Sequence, residues 1–566
     1  MLMVLNYRYR KPILLLLLIA TIITGCSQAP QSGMAAPSIP VAAQASTPAA
    51  TTQVSQNEPL LWIDPGLPAA FLESIHIPAG LQLTTEESAA NLLINDSSEY
   101  PISAWIYSLV APFPSLTDQI VKTNLIHFWQ DHTAAFPAEK LLLDPVTLKL
   151  FTEKWGDPDS QSIQLAENDQ MLTMAWDNPG WWALIPFEEL QPRWKVIALD
   201  GNSPIRKDFN QNEYPLTVQF GFVGEQPFIN SFYSQYGLYS PGQLSKKSNY
   251  QPEHLTTVAL TGVTALVRAT AGWMENFGLT YPAQDIRDIL LEADITHINN
   301  EIPFTPKCPP PYPREETLVF CSKPKYTELL MDIGTDIVEL DGDHFQDWGP
   351  EAVLYTLDLY QELGLKTYGG GRNLEEARRP LLINHNDNKF AFLGCNAKEI
   401  GYAGADTDQP GAFHCDIEWM QDQIKQLKAD GYLPIVTFQH KEYYSYIAHD
   451  PQMLSDFRAM ADAGAVIISG SQAHQPQSME FYKDSFLHYG LGNLFFDQYD
   501  EGIPTRQAFI DRHVFYEGRH ISTELLSIIF IDYARPRPMT EEERAELLRT
   551  IFNASAWDYA QRTPSE

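Results

Sequence analysis

Four stretches of the 566-residue chain each carry a histidine, three of them together with carboxylates. They run from Asp294 through Asn299 to Glu301, from Asp341 through Asp343 and His344 to Asp347, from His440 to Glu442, and from Gly470 to His474. Imidazole nitrogen and carboxylate oxygen together suit Zn, Mn or Fe. A bound metal would orient a phosphoryl or carbonyl group and make hydroxide available near neutral pH. A single histidine of this kind is usually a hydrogen-bonded structural residue. Four such loops shift the balance toward a site.

The segments before these loops explain how the groups could meet. Val258 to Leu260, Ala293 to Glu301, Asp336 to Leu340, Lys389 to Gly394, Leu433 to Phe438 and Val466 to Ser469 read as buried strands. Helical patterns separate them at Glu351 to Leu363, Ile417 to Lys428 and Leu454 to Ala463. Strands alternating with helices predict an α/β fold, and in open α/β sheets sites form just past the strand ends. Residues 255–535 are read as this domain, and 536–566 as a C-terminal helical tail.

A first folded region is read at 58–245. Strands are predicted at Leu60 to Ile63, Ala90 to Ile94 and Ile102 to Val110, with a short helix at Pro68 to Ser74. Asp200-Gly201, Ser203-Pro204 and Tyr214-Pro215-Leu216 follow in an order that resembles the phosphate-binding branch of type II periplasmic binding proteins. The Ser115 to Asp118 stretch reads first as a helix N-cap.

The N-terminus reads as an address. Arg8, Arg10 and Lys11 precede an apolar run from Pro12 to Thr24, too short for a comfortable membrane span. Ile23-Thr24-Gly25-Cys26 resembles the bacterial lipobox, which implies cleavage of residues 1–25 and lipid on Cys26. Several acyl chains hold a protein stably at a membrane. The expected location is the extracytoplasmic face of the cell membrane, with residues 26–57, rich in Ala, Pro, Ser and Thr, as a tether. In that oxidising compartment Cys308, Cys321, Cys395 and Cys415 suggest two disulfides. Three pairings exist, and the local pairs Cys308–Cys321 and Cys395–Cys415 are favoured. A four-cysteine zinc site is the rival, without the usual C-x2-C spacing.

Net charge is −33, and −36 once residues 1–25 leave with three basic groups. That balance argues against nucleic-acid binding and against docking on anionic lipid by charge alone.

Residues 257–500 resemble the CapA family of bacterial capsule synthesis proteins, associated with poly-γ-glutamate. The resemblance rests on Asp294, Asn299 and Glu301, on Leu340 to Gly349, on Gly369 to Pro380, on Gln439 to Tyr443, on Gly470 to Gln477, and above all on Tyr489 to Gln498. It implies a β-sandwich like that of calcineurin-type metallophosphatases, flanked by helices. It further implies Glu301, Asp343, His440 and His474 as metal ligands, His344 as proton donor oriented by Asp347, and Asn299 and Glu442 as supporting groups. The family's Gly-Asp is Gly262-Val263 here, and Ser471 stands where it often has histidine. One ion of the Mn, Zn or Fe class is therefore expected rather than two.

Two functions follow. One is a metal-dependent hydrolase of a phosphoester, or of an amide or ester in a surface polymer. The other is a non-catalytic factor that binds a surface polymer, a ligand or the export machinery. For an acidic body to hold an anionic polymer, a bridging cation or a basic patch such as Arg372, Arg378 and Arg379 would be required, although such arginines are more often salt-bridged.

Overall fold

A computed structural model of the chain describes residues 59–97, 99–133, 136–236, 244–314, 317–398, 403–555 and 557. The leader, Cys26 and the tether lie outside the described residues, as do residues 558–566 of the tail. Two mixed sheets dominate the C-terminal region. In the first, the order is Lys366–Tyr368, Thr335–Glu339, Ile295–Asn300, Leu255–Thr261, Gln507–Tyr516, Arg519–Phe530 and Pro536–Pro538. The first four strands run parallel, and the long hairpin 507–530 closes the sheet antiparallel. In the second, Asn388–Asn396, Leu433–Gln439, Ile467–Gly470 and Ser485–His488 run parallel, with Leu381–His385 and Met479–Tyr482 as antiparallel edges.

Side-chain alternation builds four layers from these sheets. Ile295 and Ile337 of the first sheet meet Phe392, Ile435 and Ile467 of the second in the core between them. Ile298, Val338 and Leu340 point the other way, under helices Arg268–Phe277, Thr327–Asp332 and Gly349–Leu363. Val436, Phe438 and Ile468 likewise pack under helices Ile417–Ala429 and Pro451–Ala463. The fold is a helix-flanked β-sandwich, as the resemblance implies.

Local chemistry sets the helix ends. Asp450 caps the second of these helices by accepting from the Met453 N–H at 2.8 Å, Pro451 opens it, and Gly464 ends it at φ 109°. Phe457 on its inner face stacks on Phe438, with ring centroids 4.9 Å apart. The Glu541–Ala554 helix begins with a capping box of Thr540 and Glu543. It buries Leu547, Leu548, Ile551 and Phe552 against the core between the sheets.

The N-terminal region forms its own mixed sheet, ordered Gln82–Leu83, Leu60–Ile63, Leu92–Asn95, Thr217–Gly224, Tyr100–Pro112, Trp181–Pro186, Lys140–Leu143 and Ile163–Leu165. The 13-residue strand Tyr100–Pro112 joins its two halves, pairing through Tyr100–Ile106 with one and through Tyr107–Val110 with the other. Residues 57–566 form one compact unit. The N-terminal core takes in Leu255, Val514 and Tyr516 of the sandwich. Ion pairs Arg206–Glu524 (2.9 Å) and Arg544–Asp118 (2.9 Å) tie the two regions.

Along the strands of the sandwich, the inner face turns from apolar to polar. Ile295 is followed on the same face by His297, Asn299 and Glu301, and Ile337 by Glu339, Asp341 and Asp343. Opposite them, Phe392 gives way to Gly394, Asn396 and Lys398, Ile435 to Thr437 and Gln439, and Ile467 to Ser469 and Ser471. This gradient places the polar groups at one end of the sandwich.

Candidate functional site

Ligand-type atoms of Glu301, Asp343 and His344 lie within 4.8 Å of one another, the one such group among the described residues. Glu301 follows the Ile295–Asn300 strand, and Asp343 and His344 follow the neighbouring Thr335–Glu339 strand. Gly342 lets these two turns touch, since a Cβ there would lie 2.6 Å from the backbone of Glu301.

Asp347 orients His344. Its Oδ2 lies 2.7 Å from His344 Nδ1 and also accepts the Phe320 N–H at 2.7 Å. The Phe320 ring packs on the imidazole at 4.9 Å. The Cys308–Cys321 disulfide fixes the loop that carries Phe320. Burial works to lower the His344 pKa, but the Asp347 hydrogen bond and the charges of Glu301, Asp343 and Asp347 outweigh it and hold it at about 9. Burial, then the charge of Asp343, pushes Glu301 up to about 8.

Lys398 enters from the opposite sheet. Its Nζ lies 3.0 Å from Asp343 Oδ2 and donates to Glu442 Oε1 at 2.6 Å. Burial opposes the charged carboxylate of Asp343, but the Lys398 and His344 charges prevail and lower its pKa. The Cys395–Cys415 disulfide and the bond from the Lys398 N–H to Asn396 Oδ1 (2.8 Å) anchor this lysine. Gln472 Nε2 bridges Glu301 (3.1 Å) and Glu442 (2.9 Å). Both disulfides are the local pairs favoured from the sequence.

The two remaining histidines differ. Asn493 donates through Nδ2 to the carbonyls of His474 and Thr505, so its Oδ1 accepts from His474 Nδ1 at 2.8 Å. That leaves Nε2 of His474 as a free lone pair, and burial lowers the ring's pKa. His440 is turned away. Its Nδ1 accepts the Lys441 N–H at 2.9 Å, and its Nε2 faces Asp456 at 3.1 Å on helix Pro451–Ala463. Alternation explains this placement. His440 shares a face with Phe438, on the helix side, while Gln439 faces the sandwich interior. The expected four-residue ligand set therefore does not converge around one point: Glu301 and Asp343 meet His344, and both ring nitrogens of His440 are engaged elsewhere.

Asn299 lies one step below Glu301 and is fully buried. Asp294 sits at the start of its strand, where Lys207 (2.7 Å) and Thr257 hold it away from the site. Val263 is buried and offers no ligand, and the Ser471 hydroxyl donates to Glu339 at 2.5 Å. Arg372 pairs with Asp358 at 2.6 Å, Arg379 lies 3.9 Å from Glu375, and Arg378 stacks on Trp419, so these arginines are already partnered. Lys398, Gln472 and Asn493 were not singled out as site residues from the sequence. The signal for Lys398 was the same alternation, counted on from Phe392 through Gly394 and Asn396.

One divalent ion fits the residues present. Glu301 and Asp343 offer oxygen donors, and Asp343 Oδ1 is buried without a hydrogen bond. A second ion bridged directly to this one has no such set, because Val263 and Ser471 supply no ligand beside Asp343 and Lys398 occupies the space between Asp343 and Glu442.

Residues 246–498 match the family model described as "Bacterial capsule synthesis protein PGA_cap". The chain is 25% identical over 291 residues to the capsule biosynthesis protein CapA of Bacillus anthracis, covering 50% of this chain and 69% of that protein. It is 28% identical over 173 residues to the PGA biosynthesis protein CapA of Bacillus subtilis (strain 168), covering 30% of this chain and 45% of that one. Among solved structures, a 5'-nucleotidase precursor from Thermus thermophilus is similar at 13% identity and TM-score 0.31, over 54% of this chain and 58% of that one. An ABC-type phosphate transport receptor from Vibrio cholerae is similar at 12% identity and TM-score 0.24, over 28% of this chain and 78% of that one.

Proposed function

We propose that this chain, a member of the CapA family of bacterial capsule synthesis proteins through its residues 246–498, is a lipid-anchored cell-envelope protein that helps build a capsule or poly-γ-glutamate surface polymer as a metal-dependent hydrolase. The observation that carries this reading is the convergence of Glu301, Asp343 and His344, with Asp347 behind the imidazole. Glu301 and Asp343 would hold one ion of the Mn, Zn or Fe class, which when bound supplies Lewis acidity. His344 retains its proton up to about pH 9 and can donate it to a leaving oxygen or nitrogen. Asp347 fixes the ring and stabilises its charge. Gln472 orients both Glu301 and Glu442. His474 Nε2 offers a second acceptor near Glu442. The substrate is a phosphoester, amide or ester of the polymer or its precursor, and the partners are the polymer or its export machinery, at a membrane held through lipid on Cys26.

The test is turnover of a phosphoester panel and of poly-γ-glutamate with Mn, Zn or Fe added. Wild type turns over at least one substrate, while His344→Ala loses turnover and keeps its ion. No retained ion together with no turnover refutes the reading. A second reading, a non-catalytic polymer-binding factor, is favoured by Lys398, whose ammonium already bridges Asp343 and Glu442. Under that reading His344→Ala leaves polymer binding and capsule formation intact.

A further inference from the structure

Beneath the Glu301–Asp343 turns, the space between the two sheets is lined by polar groups that the proposed hydrolysis does not use. Glu339, Asp341, Asn299 and Gln439 are all fully buried. Both carboxylate oxygens of Asp341, both side-chain atoms of Asn299, both of Gln439 and Oε2 of Glu339 are buried without a hydrogen bond. Asn396 Nδ2 and Ser469 Oγ share that state.

Register brings these groups to one place. Asn299 pairs with Glu339 across the first sheet, and Asn396 with Gln439 across the second. Ser471, next to Gln439 on the following strand, reaches across the sandwich to Glu339. Asp341 also reaches across. A Cβ on Gly394 would lie 2.5 Å from Asp341 Oδ2, so only glycine there leaves room for the carboxylate, and Thr437 flanks the same point. Tyr368 closes the floor by bonding Thr437 at 2.9 Å.

Neither carboxylate has a lysine or arginine partner among the described residues; the two face each other, burial and the Glu339 charge push the Asp341 carboxyl well up, and His297 Nε2 stands 3.2 Å from Glu339 Oε2, so without a cation the pair has only a shared proton and one imidazole to offset its charge. Buried carboxylates are held by charge partners or metals, and buried amides do not stay unpaired. We propose that Glu339 and Asp341, with the amide oxygens of Asn299 and Gln439, bind a hard divalent cation of the Ca²⁺ or Mn²⁺ kind that ties the two sheets together. An oxygen-only set with two carboxylates matches that class. This ion is separate from the one on Glu301 and Asp343, and the inference stands whether or not the hydrolase reading does.

The experiment measures metal per protein in the full chain, loaded with Mn²⁺ or Ca²⁺ and gel-filtered, by mass spectrometry. The Glu339→Gln/Asp341→Asn variant is expected to carry one equivalent less than wild type, whereas Asp343→Asn retains the interior ion. Loading should raise the melting temperature of EDTA-stripped wild type by more than that of the double variant, which is left with the ion on Glu301 and Asp343 alone. Gln439→Met, which removes one oxygen and no charge, should fold and lose its ion to EDTA sooner. An unchanged metal ratio in the double variant overturns the proposal. So does wild type that keeps no ion after loading, which would mean that ordered water alone fills the space.

Discussion

Replacing Lys398 by methionine tests the electrostatics of the site most directly. The ammonium lies 3.0 Å from Asp343 and 2.6 Å from Glu442, with its side chain about four-fifths buried. An ion on Asp343 would lie roughly 4 Å from Nζ, and two positive charges at that distance repel by about 2 kcal/mol per unit charge on the ion when the effective dielectric is ~40, or about 4 when it is ~20. Solvent at the site mouth screens part of this. For the two charges of Mn²⁺ the repulsion is about 4–8 kcal/mol before screening, and with roughly half of it screened Lys398→Met should bind Mn²⁺ between about thirtyfold and a thousandfold more tightly, each ~1.4 kcal/mol being a factor of ten. Without metal the same change leaves Asp343 and Glu442 unpaired and costs on the order of 3 kcal/mol. For a unit of this size, with an unfolding entropy of roughly 1 kcal/mol/K, that lowers Tm by about 3 °C. Mn²⁺ should restore the loss by mass action. Isothermal titration and scanning calorimetry of the two proteins read both effects. Equal or weaker Mn²⁺ binding by Lys398→Met would show that the lysine does not compete for this site, and the argument that it keeps a bridged second ion away would fall with it.

Four further outcomes follow from the same geometry. Because the His344 pKa is raised to about 9, its proton is present at neutral pH and lost as pH rises through that value; turnover should fall along a limb near pH 9, and Asp347→Asn should move the limb down by about a unit or more. His440→Gln should leave metal content unchanged while lowering Tm, because Asp456 loses one of its partners and keeps Gln452; a lost equivalent of metal would make His440 a ligand after all. Removing the Cys395–Cys415 bridge by a double alanine change should cost about 3 kcal/mol for its loop and weaken the Lys398–Asp343 pairing; denaturant melts under oxidising and reducing conditions check it. Phe457→Ala should cost about 3–5 kcal/mol by opening a hole against Phe438; a loss below ~1 kcal/mol would mean that the helix does not pack as described.

The sandwich was legible because its strands are continuous apolar runs that end abruptly in polar residues, and because Asp450, Pro451 and Gly464 mark helix ends in a chemistry that needs no tertiary partner. The hairpin 507–530 that closes the first sheet was not. On its inner face Asp511 and His513, which bond His488 and Thr523, interrupt Phe509 and Phe515, so the strand has no continuous apolar run. The site was legible in part for the same reason. Asp343, His344 and Asp347 are neighbours in the chain, and the hydrogen bond between His344 and Asp347 spans only three residues. Lys398 and Gln472 come from the other sheet and meet the carboxylates only when the two sheets stack.

By itself, the sequence determined which strand ends carry polar chemistry, which cysteines could pair locally, and that valine and serine, neither a usual metal ligand, stand at 263 and 471. It could not determine which side of each strand faces inward at its end. That is a matter of parity: one residue decides that Gln439 looks into the sandwich and His440 looks under the helix. Only the packed sheets settle it, because burying Ile435 and Ile467 between them fixes the face of every residue that follows. The same packing brings Lys398 to Asp343 and draws Glu339 and Asp341 into the interior, where burial decides which charges need a partner.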